Sequence, residues 1–594
     1  MKTGKNIIYQ TFPRLFGNFT EHPVKNGSKE ENGCGKFSSY STEALNSIKE
    51  LGVTHIWYTG ILAHATSTDY TAYGIPKDHR AIVKGKAGSP YAIKDYYDVD
   101  PDLADSVPER MNEFTELVKR THDAGMKVII DFVPNHVSRN YRSLMKPVYI
   151  DDLGQHDNTE LAFSPDNNFY YLPGQHLELR FEVQEEDFEY NEFPAKVTGN
   201  DCFTAYPGVH DWYETVKLNY GVDTLNGGAC HFTPVPDTWH KMLHILLFWA
   251  EKGVDGFRCD MAEMIPVQFW EWVIPRVKSY HEILFIAEIY NKSRYGEFLQ
   301  TGHFDYLYDK VGTYDLLRDI ICKRASTGRL IEHMQSVDSI VDRLLFFLEN
   351  HDEQRITSDF FAGDAQSAIP ALIFITTCRT NPIMIYNGQE LGEKGMDAEG
   401  FSGLDGKTSI FDYWRMDSIR RWANNGRLDG ALLDDEQRFV TGFGRFDGAL
   451  LTENQKQLRA LYQKILCLAT EEKALSMGSF YSLDYCNYDN PHFASDWMTA
   501  YLRKYENELI LVCINFDNNA YHFRINIPEN AFEVLQIPDN KVSMMKELLS
   551  DEESVCSLTY TCSFRGTIQG CSAKMLKFVP PSLQACEAIQ GALI

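Results

Sequence analysis

The stretch GVDGFRCDMAE, residues 253–263, places an Arg and an Asp two positions apart in an apolar, strand-like run. Side chains on a strand alternate faces, so Arg258 and Asp260 share one face while Phe257 and Cys259 share the other. A buried ion pair is common and often contributes little net stability, so on its own the pair is read equally as a structural feature. Its meaning depends on what surrounds it.

Outward from it, the chain alternates short β-branched and aromatic runs with amphipathic helical stretches, the pattern of parallel β/α units. NIIYQTF (6–12), VTHIWYTGIL (53–62) and GMKVIIDFVPNH (125–136) are the first three strands. The opening stretch is the fourth, and EILFIAEIY (282–290), HFDYLYD (303–309), RLLFFLENHD (343–352) and NPIMIYNGQE (381–390) complete eight. Met111, Phe114, Leu117 and Val118 fall on one helical face before the third strand. Asp237 is expected to cap a helix through residues 238–253, and another helix is expected around 456–474.

Eight such units predict an α/β fold, a (β/α)₈ TIM barrel whose chemistry lies at the C-terminal strand ends. Short strand-like pieces and Pro and Gly punctuation between residues 137 and 230, without a good helix, predict an inserted domain after strand 3. The alternation in ELILVCINFDNNAYHFRINIP (508–528) predicts a closing C-terminal antiparallel β-sandwich. The expected division is 1–136 and 231–475 for the barrel, 137–230 for the insertion and 476–594 for the sandwich.

Fifty-seven Lys and Arg against 83 Asp and Glu give a net charge of −26 over 594 residues, which repels nucleic acid and anionic membranes. A neutral ligand escapes that penalty, and 32 Tyr, 36 Phe and 9 Trp suit sugar rings. The N-terminus has no apolar run of signal-peptide length, and no run reaches membrane-spanning length. As written the sequence implies a cytoplasmic protein; a chain whose leader had been removed would read the same, leaving a periplasmic or secreted location open. The 13 Cys lack paired short spacings, and Cys556, Cys562, Cys571 and Cys586 form a loose C-terminal cluster without a zinc pattern. Oligomeric state is not legible.

Other strand ends repeat the polar habit of the fourth: Asp131, Asn135 and His136 on the third, Glu288 on the fifth, His351 and Asp352 on the seventh. Carboxylates converging on one mouth are costly to bury without purpose. Asp260, beside the permanent cation of Arg258, is expected to stay ionised and act as nucleophile. Glu288 follows the apolar run LFIA and faces Asp260 and Asp352, surroundings that favour its protonated form. An anionic nucleophile opposite a protonated acid is the arrangement of a retaining glycosidase. Asp352 is left to bind sugar hydroxyls and stabilise a positive transition state.

DFVPNHV (131–137), GFRCD (256–260), FIAE (285–288) and ENHD (349–352) resemble, in order, the four signature regions of the α-amylase superfamily, the retaining glycoside hydrolases of family thirteen. VKLN (216–219) resembles the fifth region, and YNGQELG (386–392) the eighth-strand segment. The resemblance spans nearly the whole chain. It implies Asp260 as nucleophile, Glu288 as general acid/base and Asp352 as transition-state stabiliser, with Arg258, His136 and His351 contacting the sugar or holding the carboxylates. Tyr91, in GSPYAIKDYYDVDP (88–101), matches the aromatic platform under the reacting ring; the competing reading is a half-buried loop aromatic.

The sequence also departs from the family. SPY (89–91) lacks the His that often precedes the platform Tyr, and Met261, Ala262, Glu263 and Met264 replace a Lys and a His that serve an acceptor subsite and a calcium site. Asn135 matches a position that often binds calcium, but without that His it is read equally as a hydrogen-bond hub, so no cofactor is required and calcium is doubtful. The expected function is hydrolysis of α-glucosidic bonds in starch-like glucans or maltooligosaccharides. The competing reading is transglycosylation, as by a glucanotransferase or maltosyltransferase. A silent glycan-binding relative is disfavoured because all three carboxylates are kept, and a metal-dependent hydrolase because the His residues lack the spacing of a metal site.

Overall fold

The computed structural model describes residues 4–183, 189–395, 400–401, 403–424, 444–560 and 562–579. Eight parallel strands close into a barrel: β1 Ile7–Thr11, β2 His55–Tyr58, β3 Lys127–Phe132, β4 Gly256–Cys259, β5 Leu284–Ala287, β6 Tyr306–Tyr308, β7 Leu344–Phe347 and β8 Ile383–Tyr386. All lie inside the eight runs expected from sequence, and β8 pairs back onto β1 through Ile7 and Ile383 to remove both sheet edges.

Residues facing inward pack a filled, apolar interior. Ile8, Trp57, Ile129, Ile286, Tyr308, Leu345, Phe347 and Met384 form one buried cluster, the filled centre expected of an eight-stranded barrel rather than a pore. Further along β1, β3, β4 and β5 the inward positions turn polar: Gln10, Asp131, Arg258 and then Asp260 and Glu288. Outward-facing residues such as Ile130, Phe257 and Phe285 join the larger core under the helices.

The helix after the insertion spans Asp237–Glu251. Asp237 does not cap it: the N-cap is Pro236, and Asp237 is the first helical residue, paired with Lys241 at 2.7 Å one turn on. A carboxylate there still complements the helix N-terminus. The expected late helix spans Glu453–Glu471 and is opened by a capping box between Thr452 and Gln455.

Among the described residues, 137–230 holds two- and three-residue strands and a 3₁₀ turn at Thr224–Asn226, with a small core of Tyr170, Leu172, Leu177, Ala195, Val197 and Ala205. Residues 184–188, within the acidic patch, lie outside the described residues. The segment is tied to the barrel by an antiparallel ladder between His136–Ser138 and Thr215–Lys217.

The C-terminal part is antiparallel. Ser479–Ser482 (β9), Met498–Tyr505 (β10), Glu508–Asn515 (β11), Asn540–Glu547 (β13), Glu553–Leu558 (β14) and Ser572–Val579 (β16) form a six-stranded sheet in the order β9-β10-β11-β16-β13-β14. Tyr521–Asn526 (β12) and Ser563–Ile568 (β15) make a ribbon across it. Leu509, Leu511 and Cys513 of β11 face the ribbon, whereas Ile510, Val512 and Ile514 join the barrel's core. A strand buried on both faces is apolar at every position, which is why LILVCI reads as a continuous run. Cys556, Cys562 and Cys571 are free thiols, and Cys586 lies outside the described residues. Among the described residues no helix is long and apolar enough to cross a membrane.

Candidate active site

Arg258, 1% exposed, is the point where three strand ends meet. Its Nη1 donates to Asp260 Oδ1 at 2.7 Å and to Asp131 Oδ1 at 3.4 Å, and its Nη2 lies 2.8 Å from Glu288 Oε1. Register explains the grouping: Arg258 stands opposite Asp131 on β3 and Ile286 on β5, and Glu288 is the next inward position after Ile286. The rings of Trp57, Tyr91 and Tyr308 surround the guanidinium, with centroids 5.4, 5.5 and 5.6 Å away. Those faces stabilise the cation where water cannot.

Arg258 thus holds the carboxylates of three strand ends and not only that of Asp260, its neighbour in sequence. Three buried carboxylates share one guanidinium, and full ionisation would leave negative charge uncompensated. Burial pushes the Asp260 carboxyl well above its ordinary range; Arg258 opposes that, while Glu288 and Asp131 add to it. Burial likewise raises Asp131 to about 6, against Arg258 and the N–H groups of Trp57 and Gly60. Burial and the neighbouring carboxylates thus oppose the ionised form of Asp260, which the Arg258 guanidinium supports.

Glu288, 2% exposed, is fixed at both oxygens: Met261 N–H donates to Oε2 at 2.8 Å and Tyr290 Oη to Oε1 at 2.9 Å. Asp352 has the more open carboxylate, with a side chain 39% exposed and Oδ2 3.1 Å from His351 Nε2. Confinement raises its pKa, opposed by Arg258, Lys407 and Lys310.

His351 lies under Tyr91, its ring tilted 24° from the Tyr ring with centroids 5.3 Å apart and Nε2 2.5 Å from Tyr91 Oη. Gln10 Nε2 meets the other ring nitrogen at 2.7 Å. Burial and the Arg258 cation hold His351 well below its usual pKa, so it is neutral. His136 is neutral too, lowered to about 3 by burial and by Lys217 and Lys84, and its ring leans on Trp212 at 5.1 Å.

Asp260, Glu288, Asp352, Tyr91 and His136 line one cleft of about 470 Å³; Arg258 and His351 support it from behind. The cleft also takes Met261, noted from sequence as a departure from the family, and residues not singled out there: Tyr290, Trp212, Ile410, Phe411 and the lysines 84, 310 and 407. Tyr290 was within reach of strand parity, being two residues after Glu288. Lys310 opens a five-residue π-helical turn after β6, and Lys407 sits on a loop after β8, neither of which carries a periodic signal. Lys84 is paired with Glu214 at 2.9 Å.

Asn135 is a hydrogen-bond hub. Its Nδ2 donates to Gly199 O at 2.7 Å, and its Oδ1 accepts from Lys217 Nζ at 3.0 Å. Calcium does not fit there, because the amide oxygen it would use already holds a fixed positive charge.

The family model of the α-amylase catalytic domain matches residues 30–478. Alpha-amylase 3 of Dictyoglomus thermophilum is 24% identical over 495 residues, which cover 78% of this chain and 82% of the relative. The cyclomaltodextrin glucanotransferase of Geobacillus stearothermophilus is 23% identical over 466 residues, covering 74% of this chain and 56% of that longer protein. Among solved structures, a maltogenic α-amylase from Thermotoga neapolitana superposes with a TM-score of 0.59 at 20% identity, covering 97% of this chain and 98% of that one. A likeness at that identity speaks for the fold, while the family match takes in barrel strands β2 to β8, the insertion and every carboxylate of the cleft, so that the chain belongs to the α-amylase family.

Proposed function

We propose that the protein cleaves α-glucosidic bonds in starch-like glucans or maltooligosaccharides with retention, through a covalent glycosyl-enzyme. The observation that carries the reading is the convergence of Asp260, Glu288 and Asp352, from the ends of β4, β5 and β7, on one cleft. Asp260 attacks the anomeric carbon as Glu288 protonates the departing glycosidic oxygen. Glu288, now a carboxylate, then takes a proton from the incoming hydroxyl, which displaces Asp260. The first step needs a proton on Glu288 and a free carboxylate on Asp260, whose Oδ1 accepts a hydrogen bond from Arg258 at 2.7 Å. Asp352 faces the sugar side, where a carboxylate stabilises oxocarbenium-like charge, and the neutral His351 supports it from behind. Tyr91 offers its ring as a platform.

The second reading is transfer to another sugar. It is favoured by the apolar side chains of Met261, Trp212, Ile410 and Phe411 on the cleft wall, which offer an acceptor ring a surface that water cannot exploit. Incubation with purified maltotriose decides between them. Hydrolysis yields only shorter products, transfer yields maltotetraose and longer chains, and the absence of any new product overturns both readings.

A further inference from the structure

The end of β3 and the inserted segment meet at one buried ammonium. Lys217, 7% exposed, ends the short strand that pairs with His136–Ser138. Its Nζ donates to Asn135 Oδ1 at 3.0 Å and pairs with Asp201 Oδ1 at 2.6 Å. Asn135, fully buried, passes the connection on: its Nδ2 reaches Gly199 O at 2.7 Å and lies 3.2 Å from His136 Nδ1. One cation thus bears on three pieces of chain, residues 135–136, 199–201 and 215–217.

The loop carrying Asp201 is shaped for this meeting. Gly199 passes so close that a β-carbon on it would lie 2.6 Å from Thr215 Oγ1 and 2.8 Å from His136 Cβ. Asp201 holds φ at 63°, a left-handed conformation that a non-glycine residue adopts only at a steric cost. Burying an ammonium is unfavourable unless oxygen ligands replace its water, and a carboxylate with an amide oxygen is also the kind of donor set that draws a hard divalent ion. Here the positive charge is covalently part of the chain.

We propose that Lys217 replaces a bound metal ion: it fastens the inserted segment to the barrel mouth and, through Asn135, positions His136 in the cleft, without any metal. The fastening is read by unfolding, so its test stands apart from the glucan reading. In thermal melts the wild-type protein is expected to keep its Tm in EDTA, and a fall of several degrees overturns the proposal. Lys217→Met is expected to lower Tm by several degrees and to raise KM for maltotriose about tenfold while kcat changes less, because His136 lines the cleft and is not the reacting group. Lys217→Arg, which keeps the charge, is expected to recover most of both losses. Lys217→Ala opens the volume of the side chain, and added calcium chloride is expected to raise its Tm more than that of the wild type. Should Lys217→Met not fold, Asp201→Asn carries the same test in milder form, with a smaller fall in Tm and a smaller rise in KM. Unchanged Tm and KM in the folded variants overturn the proposal.

Discussion

The backbone N–H of Met261 donates to Glu288 Oε2 at 2.8 Å, so the residue following the proposed nucleophile orients the proposed acid. Met261 reaches that geometry with φ at 43°, in the left-handed region. Met261→Gly keeps the N–H and relieves the conformation, so kcat should change less than about tenfold. Its side chain is part of the apolar wall, so the ratio of transfer to hydrolysis products from maltotriose should fall. A collapse of kcat would mean that the side chain, not the amide, does the orienting.

Asp260→Asn removes the attacking oxygen anion while keeping the Arg258 contact. Turnover of maltooligosaccharides should fall on the order of 10³-fold or more. Calorimetry should still detect maltotriose binding. Surviving turnover would refute the covalent mechanism.

Glu288→Gln should slow cleavage of natural glucans by roughly 10²- to 10⁴-fold, the range of a general acid. A nitrophenyl maltoside, whose leaving group needs no proton, should lose much less in its glycosylation step. Equal losses on both substrates would take the acid role away from Glu288.

The acid limb of kcat/KM should lie above the ordinary carboxylate range, because burial raises Asp260 in the free enzyme. Protonated Asp260 cannot attack, so activity rises as pH climbs through its pKa. Arg258 opposes the rise, hence Arg258→Met should move the acid limb to still higher pH while lowering the plateau. A shift toward lower pH would contradict the sharing of Arg258 among the carboxylates.

Arg503 is fully buried and donates to four backbone carbonyls: those of Thr377, Ala474, Leu475 and Gly478. It pins β10 to the end of the helix before β8. Arg503→Met leaves those carbonyls without their donor and should cost roughly 3 kcal/mol or more. A clear drop in urea midpoint is expected, and a drop within error would show that water fills the gap.

Much of the architecture is legible in local sequence because a strand buried in a barrel is a short apolar run with a polar residue at a fixed parity from its end. That rule places Asp260 from GFRCD, Glu288 from FIAE and the whole eight-strand count. It also contains Gln10, Trp57 and Tyr290, which share the inward face of their strands and were passed over because a lone Gln, Trp or Tyr carries no chemical motif. What parity cannot give is who shares a partner. Arg258 serves three acids because β3, β4 and β5 are neighbours in space with a particular register, and Lys217 meets Asn135 across 82 positions of chain. Asp237 shows the limit of local signals from the other side, since an Asp before an apolar helix can sit either at the cap or one residue inside it.

The sealed floor of the barrel has a kinetic corollary. With Ile8, Trp57, Ile129, Ile286, Tyr308, Leu345, Phe347 and Met384 filling the space beneath the carboxylates, nothing can arrive at the anomeric carbon from below. On the proposed mechanism, sugar and incoming hydroxyl alike reach Asp260 from the cleft side. The fate of each glycosyl group in the proposed reaction then depends on which hydroxyl arrives through the cleft first.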